Sequence, residues 1–165
     1  MKVFLLRHGM TARANSDVER ALTPEGTAAL KDVMSRRPSE LSGITRIHTG
    51  PMARIQETAN IAAQVIGYQG EIVVNQSLDK LSRGQEITAT LKDIEMTEGD
   101  IILVSHESSL CNLLVYLTGD DVLMSNSSLC AIETTGWTRL DGELVWQESP
   151  NSSEIKRTRN FADMF

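Results

Sequence analysis

The chain is poor in cysteine, poor in positive charge and free of long apolar runs, and each shortage removes a class of function. Only two cysteines, Cys111 and Cys130, occur in 165 residues. Both sit inside apolar stretches and neither has a cation beside it in sequence. They read as buried free thiols rather than a disulfide, a metal pair or an activated nucleophile. The formal net charge is -6, so no global basic field exists to hold nucleic acid or an anionic membrane. Any anion site must be local and built from a few arginines. The opening apolar stretch, Val3-Phe4-Leu5-Leu6, is too short for a signal segment or a membrane span, and no later stretch is long enough to cross a bilayer. A cytoplasmic protein is the expectation. No His/Asp/Glu cluster has metal-ligand spacing, so no metal or other cofactor is expected.

What is present suits one domain able to bury a core, since 41% of residues are hydrophobic and 23% charged. No repeat or linker divides it, so a single domain over residues 1–165 is expected, with the polar tail 151–165 loosely ordered. Lys2 to Leu6 reads as a buried strand ending at Arg7-His8-Gly9. Thr23, Pro24 and Glu25 open a helix with Ala28, Leu30, Val33 and Met34 on its apolar stripe. Ile44 to Thr49 is a second strand. Pro51 then opens a helix with Ile55, Ala59, Ala62 and Ile66 at helical spacing and Gly67 as its stop. Glu71 to Val74 is a third strand. Ser82 with Gln85 suggests a capping box for a helix to about Met96. Ile101 to Ser105 is the clearest strand and ends at His106. A helix starting at Ser108 or Ser109 follows, carrying Leu110, Leu113, Leu114 and Leu117 and stopping at Gly119. Leu129 to Thr135 and Glu143 to Gln147 complete the strands.

This alternation predicts an α/β fold, a three-layer sandwich with a mostly parallel sheet and helices on both faces. Such folds bind ligands at the carboxyl ends of their strands. Two strands here end in histidine, His8 and His106, and a third leads into the helix carrying Arg54. Three segments thus deliver Arg7, His8, Arg54 and His106 toward one sheet edge. Two arginines can clamp phosphoryl oxygens. A neutral imidazole between them can attack phosphorus, and a second, protonated imidazole stabilises the developing charge.

These residues resemble a known set. Leu5-Leu6-Arg7-His8-Gly9-Met10-Thr11 is similar to the Arg-His-Gly hallmark of the histidine phosphatase superfamily. Thr49-Gly50-Pro51-Met52-Ala53-Arg54-Ile55-Gln56-Glu57-Thr58-Ala59 resembles its second-arginine motif, and Val104-Ser105-His106 its second-histidine motif. The resemblance implies a phosphoglycerate mutase-like fold, with His8 as nucleophile and Arg7, Arg54 and His106 completing a phosphate site. Ser16-Asp17 through Arg20-Ala21-Leu22-Thr23 to Gly26, the compact length and the ending Trp146 to Pro150 resemble the SixA-type phosphohistidine phosphatases. That narrower likeness implies a phosphohistidine on a histidine phosphotransfer domain as substrate, and Arg20 as a residue facing it.

Four positions depart from the family pattern. Gly50 stands where serine is usual, and Ile55 where alanine is usual. Ala14, with Asn15 one step late, replaces an asparagine that touches phosphate. Lys80 occupies the place of a glutamate general acid, while Asp79 beside it points elsewhere if the segment is extended. Glu107 reads either as a stand-in acid at the rim or as a carboxylate favoured at a helix N-terminus. An imidazole leaving group needs less acid help than an alkoxide, so the missing glutamate fits phosphohistidine. The alternatives are a small-molecule phosphomonoesterase of the same superfamily and a catalytically weak phosphate-binding module. A monomer is the default expectation.

Overall fold

Val3, Phe4, Leu5 and Leu6 are all fully buried, yet they face two different cores. The protein is described by a computed structural model over residues 1–12, 21–82, 84–94 and 99–155. Its first strand, β1 (Lys2–Arg7), lies inside a seven-stranded sheet. Because successive side chains of a strand point to opposite faces, Val3 and Leu5 join one core and Phe4 and Leu6 the other. A strand buried on both faces must be apolar throughout, which is why this segment shows no polar alternation.

The remaining strands are β2 (Ile44–Thr49), β3 (Ile72–Val74), β4 (Asp100–Ser105), β5 (Leu129–Glu133), β6 (Glu143–Ser149) and β7 (Ser152–Ile155), in the spatial order β3-β2-β4-β1-β5-β6-β7. Strands β1 to β4 pair in parallel. The β1–β5, β5–β6 and β6–β7 pairs are antiparallel, so β5 and β7 run against the other described strands. The mixed α/β architecture agrees with expectation.

Among the described residues five helices cover the sheet: α1 (Pro24–Ser35), α2 (Pro38–Leu41), α3 (Ala53–Ile66), α4 (Gly84–Lys92) and α5 (Glu107–Thr118). Leu30, Val33 and Met34 of α1, Leu41 of α2 and Ile55, Ala59 and Ala62 of α3 pack with Phe4 and Leu6. Ile87 and Leu91 of α4 and Leu110, Leu113, Leu114 and Leu117 of α5 pack with Val3 and Leu5 on the opposite face. Each such Leu, Ile, Val or Met side chain contributes about 1.5–3 kcal/mol on burial, so the layers hold by apolar stripes meeting the sheet. Thr23 caps α1, its Oγ1 accepting from the Gly26 N–H at 2.9 Å. Gly67 and Gly119 close α3 and α5 in the left-handed conformation, at φ 72° and 79°.

Three local details differ from the sequence reading. Helix α4 ends at Lys92, because the Asp93 and Ile94 N–H groups fold back in tighter bonds to Thr90 and Leu91. The Ser82 hydroxyl donates to the Glu86 carboxylate, four residues on, where a capping box would have it accept from the Gln85 N–H. The tail is not loose from residue 151: β7 pairs with β6, in a register that runs from Trp146↔Ile155 to Ser149↔Ser152. Residues 156–165 lie outside the described residues.

The reason for this order lies in one guanidinium. Arg36 donates to the carbonyls of Ser149 (2.6 Å), Pro150 (3.0 Å) and Ser152 (3.2 Å), gathering the β6–β7 turn onto the end of α1. Arg36 and Arg37 also converge on the buried Glu148 carboxylate, each at 2.9 Å. Arg37 stacks over Trp146 at 4.3 Å. Cys130 is buried, Cys111 is half-buried, and neither forms a disulfide among the described residues. His48 is buried within β2, and Met34 and Met124 fill the cores.

Burial alone would raise the Glu148 carboxyl, but hydrogen bonds from Ser153, Arg36 and Arg37 outweigh it and hold it below its ordinary range. A carboxyl depressed in the folded state stabilises fully above its unfolded pKa, and that stability is lost as pH falls through the folded value. Urea unfolding of the wild type should therefore show a loss toward strongly acidic pH that is smaller in Glu148→Gln, which should also be less stable at neutral pH. Equal pH slopes in the two proteins would remove Glu148 from this role.

Candidate functional site at the strand ends

The site is assembled by register. In the β1–β4 pair Arg7 lies opposite Ser105, so the next residues, His8 and His106, leave the sheet side by side. In the β2–β4 pair Thr49 lies opposite Val104, which sets the start of α3, and Arg54 in its first turn, at the same edge.

Main-chain bonds fix the Arg7-His8-Gly9 segment from several sides. The His8 N–H donates to Ser105 O at 3.2 Å and the Arg7 N–H to Ser128 O at 3.0 Å, while His8 O accepts from Ser127 N–H at 3.1 Å. The Gly9 N–H donates to Thr58 Oγ1 at 3.1 Å, and the same hydroxyl donates to the Arg54 carbonyl at 2.7 Å. One threonine thus ties the His8 turn to the turn carrying Arg54. The sequence places Thr58 inside the second-arginine motif but gives it no role; its position four residues after Arg54, on the helix face turned to the strand ends, was the available signal.

His8 is set as a nucleophile would be. Its Nδ1 lies 2.8 Å from the Gly9 carbonyl. A carbonyl only accepts, so Nδ1 carries the proton and Nε2 keeps its lone pair. Burial is the main force against protonating the ring. The Gly9 carbonyl opposes it, and the charges of Arg54, Arg7 and His106 reinforce it, so that the pKa falls to about 4.

Arg7 donates through Nη1 to Met124 O at 2.6 Å and pairs with Glu107 at 3.3 Å. Its Nε is buried without a hydrogen-bond partner among the described residues. Glu107 opens α5, so it sits at a helix N-terminus and also reaches the arginine of the site. The place at the helix N-terminus is the second of the two readings of this carboxylate. His106 is the N-cap residue of α5. Its Nε2 lies 2.9 Å from the Asp79 carbonyl and therefore donates to it. Ser108 Oγ is 2.9 Å from Nδ1 and Ser109 Oγ 3.2 Å from Nε2. The ring is held from both sides.

Asp79 is where extended geometry misled. It lies in a 3₁₀ turn, Gln76–Lys80, not in an extended segment. That turn leaves Lys80 exposed and carries the Asp79 carboxyl inward to the Ser105 hydroxyl, 3.1 Å away. A Cβ at position 50 would overlap Asp79 Oδ1, which explains glycine where the family pattern has serine. Arg20, Ala14 and Asn15 lie outside the described residues.

The sequence profile of the histidine phosphatase superfamily (branch 1) matches residues 3–95, more than half of the chain, and the chain belongs to that superfamily. No curated protein matches it in sequence at a significant level. Among solved structures it is similar to the protein histidine phosphatase SixA complexed with tungstate, at 21% identity over 92% of this chain and 98% of that one, TM-score 0.76. A structure assigned as phosphohistidine phosphatase SixA from Agrobacterium tumefaciens superposes at TM-score 0.73, with 18% identity over 90% and 97% of the two chains. A mycobacterial glucosyl-3-phosphoglycerate phosphatase reaches 0.65, with 14% identity over 87% and 96%. At these identities the likeness is one of fold. The family match marks the chain as a phosphatase of this superfamily. Among the described residues, no helix is long and apolar enough to cross a membrane.

An NMR titration of His8 should give a midpoint at about 4, with the Nδ1–H tautomer above it. A midpoint near the ordinary histidine value of about 6.5 would contradict the desolvated, arginine-flanked setting.

Proposed function

We propose that this protein hydrolyses phosphohistidine on a histidine phosphotransfer domain, by way of a phosphoryl group carried on His8. The observation that carries the reading is the state of His8: Nδ1 bound to a carbonyl, Nε2 unprotonated, and a pKa of about 4. Nε2 forms a bond to phosphorus as the substrate's own P–N bond breaks, and the leaving imidazole takes up a proton. Water then attacks the phosphorus bonded to Nε2, releasing phosphate and restoring His8. Arg7 and Arg54 hold the phosphoryl oxygens as charge moves in the transition state, and His106 adds a further donor.

The choice of phosphohistidine rests on what stands near the leaving group. Lys80, where the family pattern has a glutamate acid, is exposed, and an imidazole leaves with less acid help than an alkoxide does. The connection from β3 to α4 is short and built on a single 3₁₀ turn, with no long insert there to enclose a small molecule. Glu107 and Arg20 are assigned to substrate binding. A small-molecule phosphomonoesterase is the second reading, favoured by one observation: Glu107, 40% exposed and paired with Arg7, is a carboxyl able to face an ester leaving group. The protein is assigned to the cytoplasm and to action as a monomer.

A comparison of kcat/KM for a phosphohistidine-bearing phosphotransfer domain and a panel of small phosphomonoesters tests this choice. Strong preference for the phosphoprotein is expected; preference for one ester would replace the first reading by the second. Arg54→Ala should lower kcat/KM by about 2–4 kcal/mol of transition-state stabilisation, the scale of a lost oxyanion donor. A loss well below that would place Arg54 outside the oxyanion site.

A further inference from the structure

Asp79 holds an unusual seat. Its Oδ1 occupies the space that a side chain at position 50 would fill, at the carboxyl end of β2. The Ser105 hydroxyl, at the carboxyl end of β4, lies 3.1 Å from it. Its Oδ2 is buried and has no hydrogen-bond partner among the described residues. Its main-chain carbonyl takes the His106 Nε2 proton. A surface carboxylate would turn both oxygens to water, whereas this one is packed under the strand ends with one oxygen uncompensated. With Oδ2 shielded and Oδ1 at the Ser105 hydroxyl, the carboxyl is seated to act on its neighbours' charge rather than to present a proton.

We propose that Asp79 is a positioning residue of the phosphate site, whose carboxyl, seated in the space left by Gly50, tempers the hold of Arg54 and His106 on a bound oxyanion. The proposal rests on the reading of this site as a phosphate site. Among the described residues, two charged or titratable groups face the carboxyl from the elements packed against it: Arg54 from the start of α3 and His106 from the head of α5. Lys80, its neighbour on the same turn, is exposed. Burial pushes the Asp79 carboxyl up, against the lowering effects of the Ser105 hydroxyl, His106 and Arg54. Ionisation then places a negative charge beside the two groups that would grip phosphate. A site with two arginines and a histidine risks holding its product too tightly. An adjacent carboxylate lowers that affinity and favours release. Binding and ionisation are linked, so an oxyanion bound in the site must raise the Asp79 pKa by the same factor by which Asp79 ionisation weakens the oxyanion.

Sulfate is the probe, because it stays a dianion across the useful pH range. Carbon-13 NMR of the Asp79 carboxyl in the wild-type protein, titrated with and without saturating sulfate, should show an upward shift of its midpoint when sulfate is bound. In parallel, calorimetry should find Asp79→Asn and wild type binding sulfate equally at acidic pH, where both side chains are neutral. Near pH 8 the variant should bind about tenfold tighter, the effect of one nearby charge worth about 1.4 kcal/mol. Both proteins keep Arg7, His8, Arg54 and His106, so the comparison isolates the change made at Asp79. An Asp79 midpoint indifferent to sulfate, or an affinity ratio that does not vary with pH, overturns the proposal while leaving the phosphate site intact. Failure of the wild type to bind sulfate at any pH overturns the phosphate reading and this proposal with it. The NMR measurement stands by itself if Asp79→Asn does not fold.

Discussion

Arg7 lies opposite Ser105 in the parallel pairing of β1 with β4, and nearly everything about the site depends on that register. It places His8 beside His106 and lets the His8 N–H donate to Ser105 O. The pairing cannot slip by one residue. A slip would turn Val3 and Leu5 toward the core now filled by Phe4 and Leu6, and the reverse. Two helical layers packed on the sheet therefore enforce the position of two imidazoles. The chemistry is specified by apolar residues that never touch a substrate.

A second constraint is electrostatic. The chain carries a net charge of -6, so a cationic site must be made locally. Burial keeps His8 neutral, and the charges of Arg54, Arg7 and His106 act on it in the same sense. Carboxylates stand among these cations: Glu107 paired with Arg7, and Asp79 behind His106 and Arg54. The result is a site whose cations are balanced from behind and from the rim, rather than a uniformly positive hole. In the proposed reading, such a balance lets the site bind an oxyanion and release it.

How much of this was legible in the sequence varied with the physics behind each feature. Strand β1 was legible because four apolar residues ending at Arg7-His8-Gly9 have few other readings. Helix α1 was legible from Thr23, Pro24 and Glu25, whose cap chemistry is local. The convergence of Arg7, His8, Arg54 and His106 on one sheet edge was legible because Arg7 ends a strand, His8 and His106 directly follow strands, and Arg54 opens the helix after a third. Asp79 was not, since its direction depends on a 3₁₀ turn that no short-range pattern announces. Strand β7 was missed because Ser152-Ser153-Glu154 is polar; its order comes from Arg36, more than a hundred residues away, binding the carbonyls of the preceding turn. Thr58 lay within a recognised motif, but its role was not legible, because that role is to join two segments distant in sequence.

The central claim is that His8 Nε2 becomes bonded to phosphorus during turnover. The direct test is rapid mixing with the phosphorus-32-labelled phosphoryl donor that turns over fastest, followed by an alkaline detergent quench and peptide mapping. The account predicts a transient label that is stable in alkali, lost in acid, and confined to the peptide carrying His8. Turnover with no label at His8, or with the label on another residue, would contradict it.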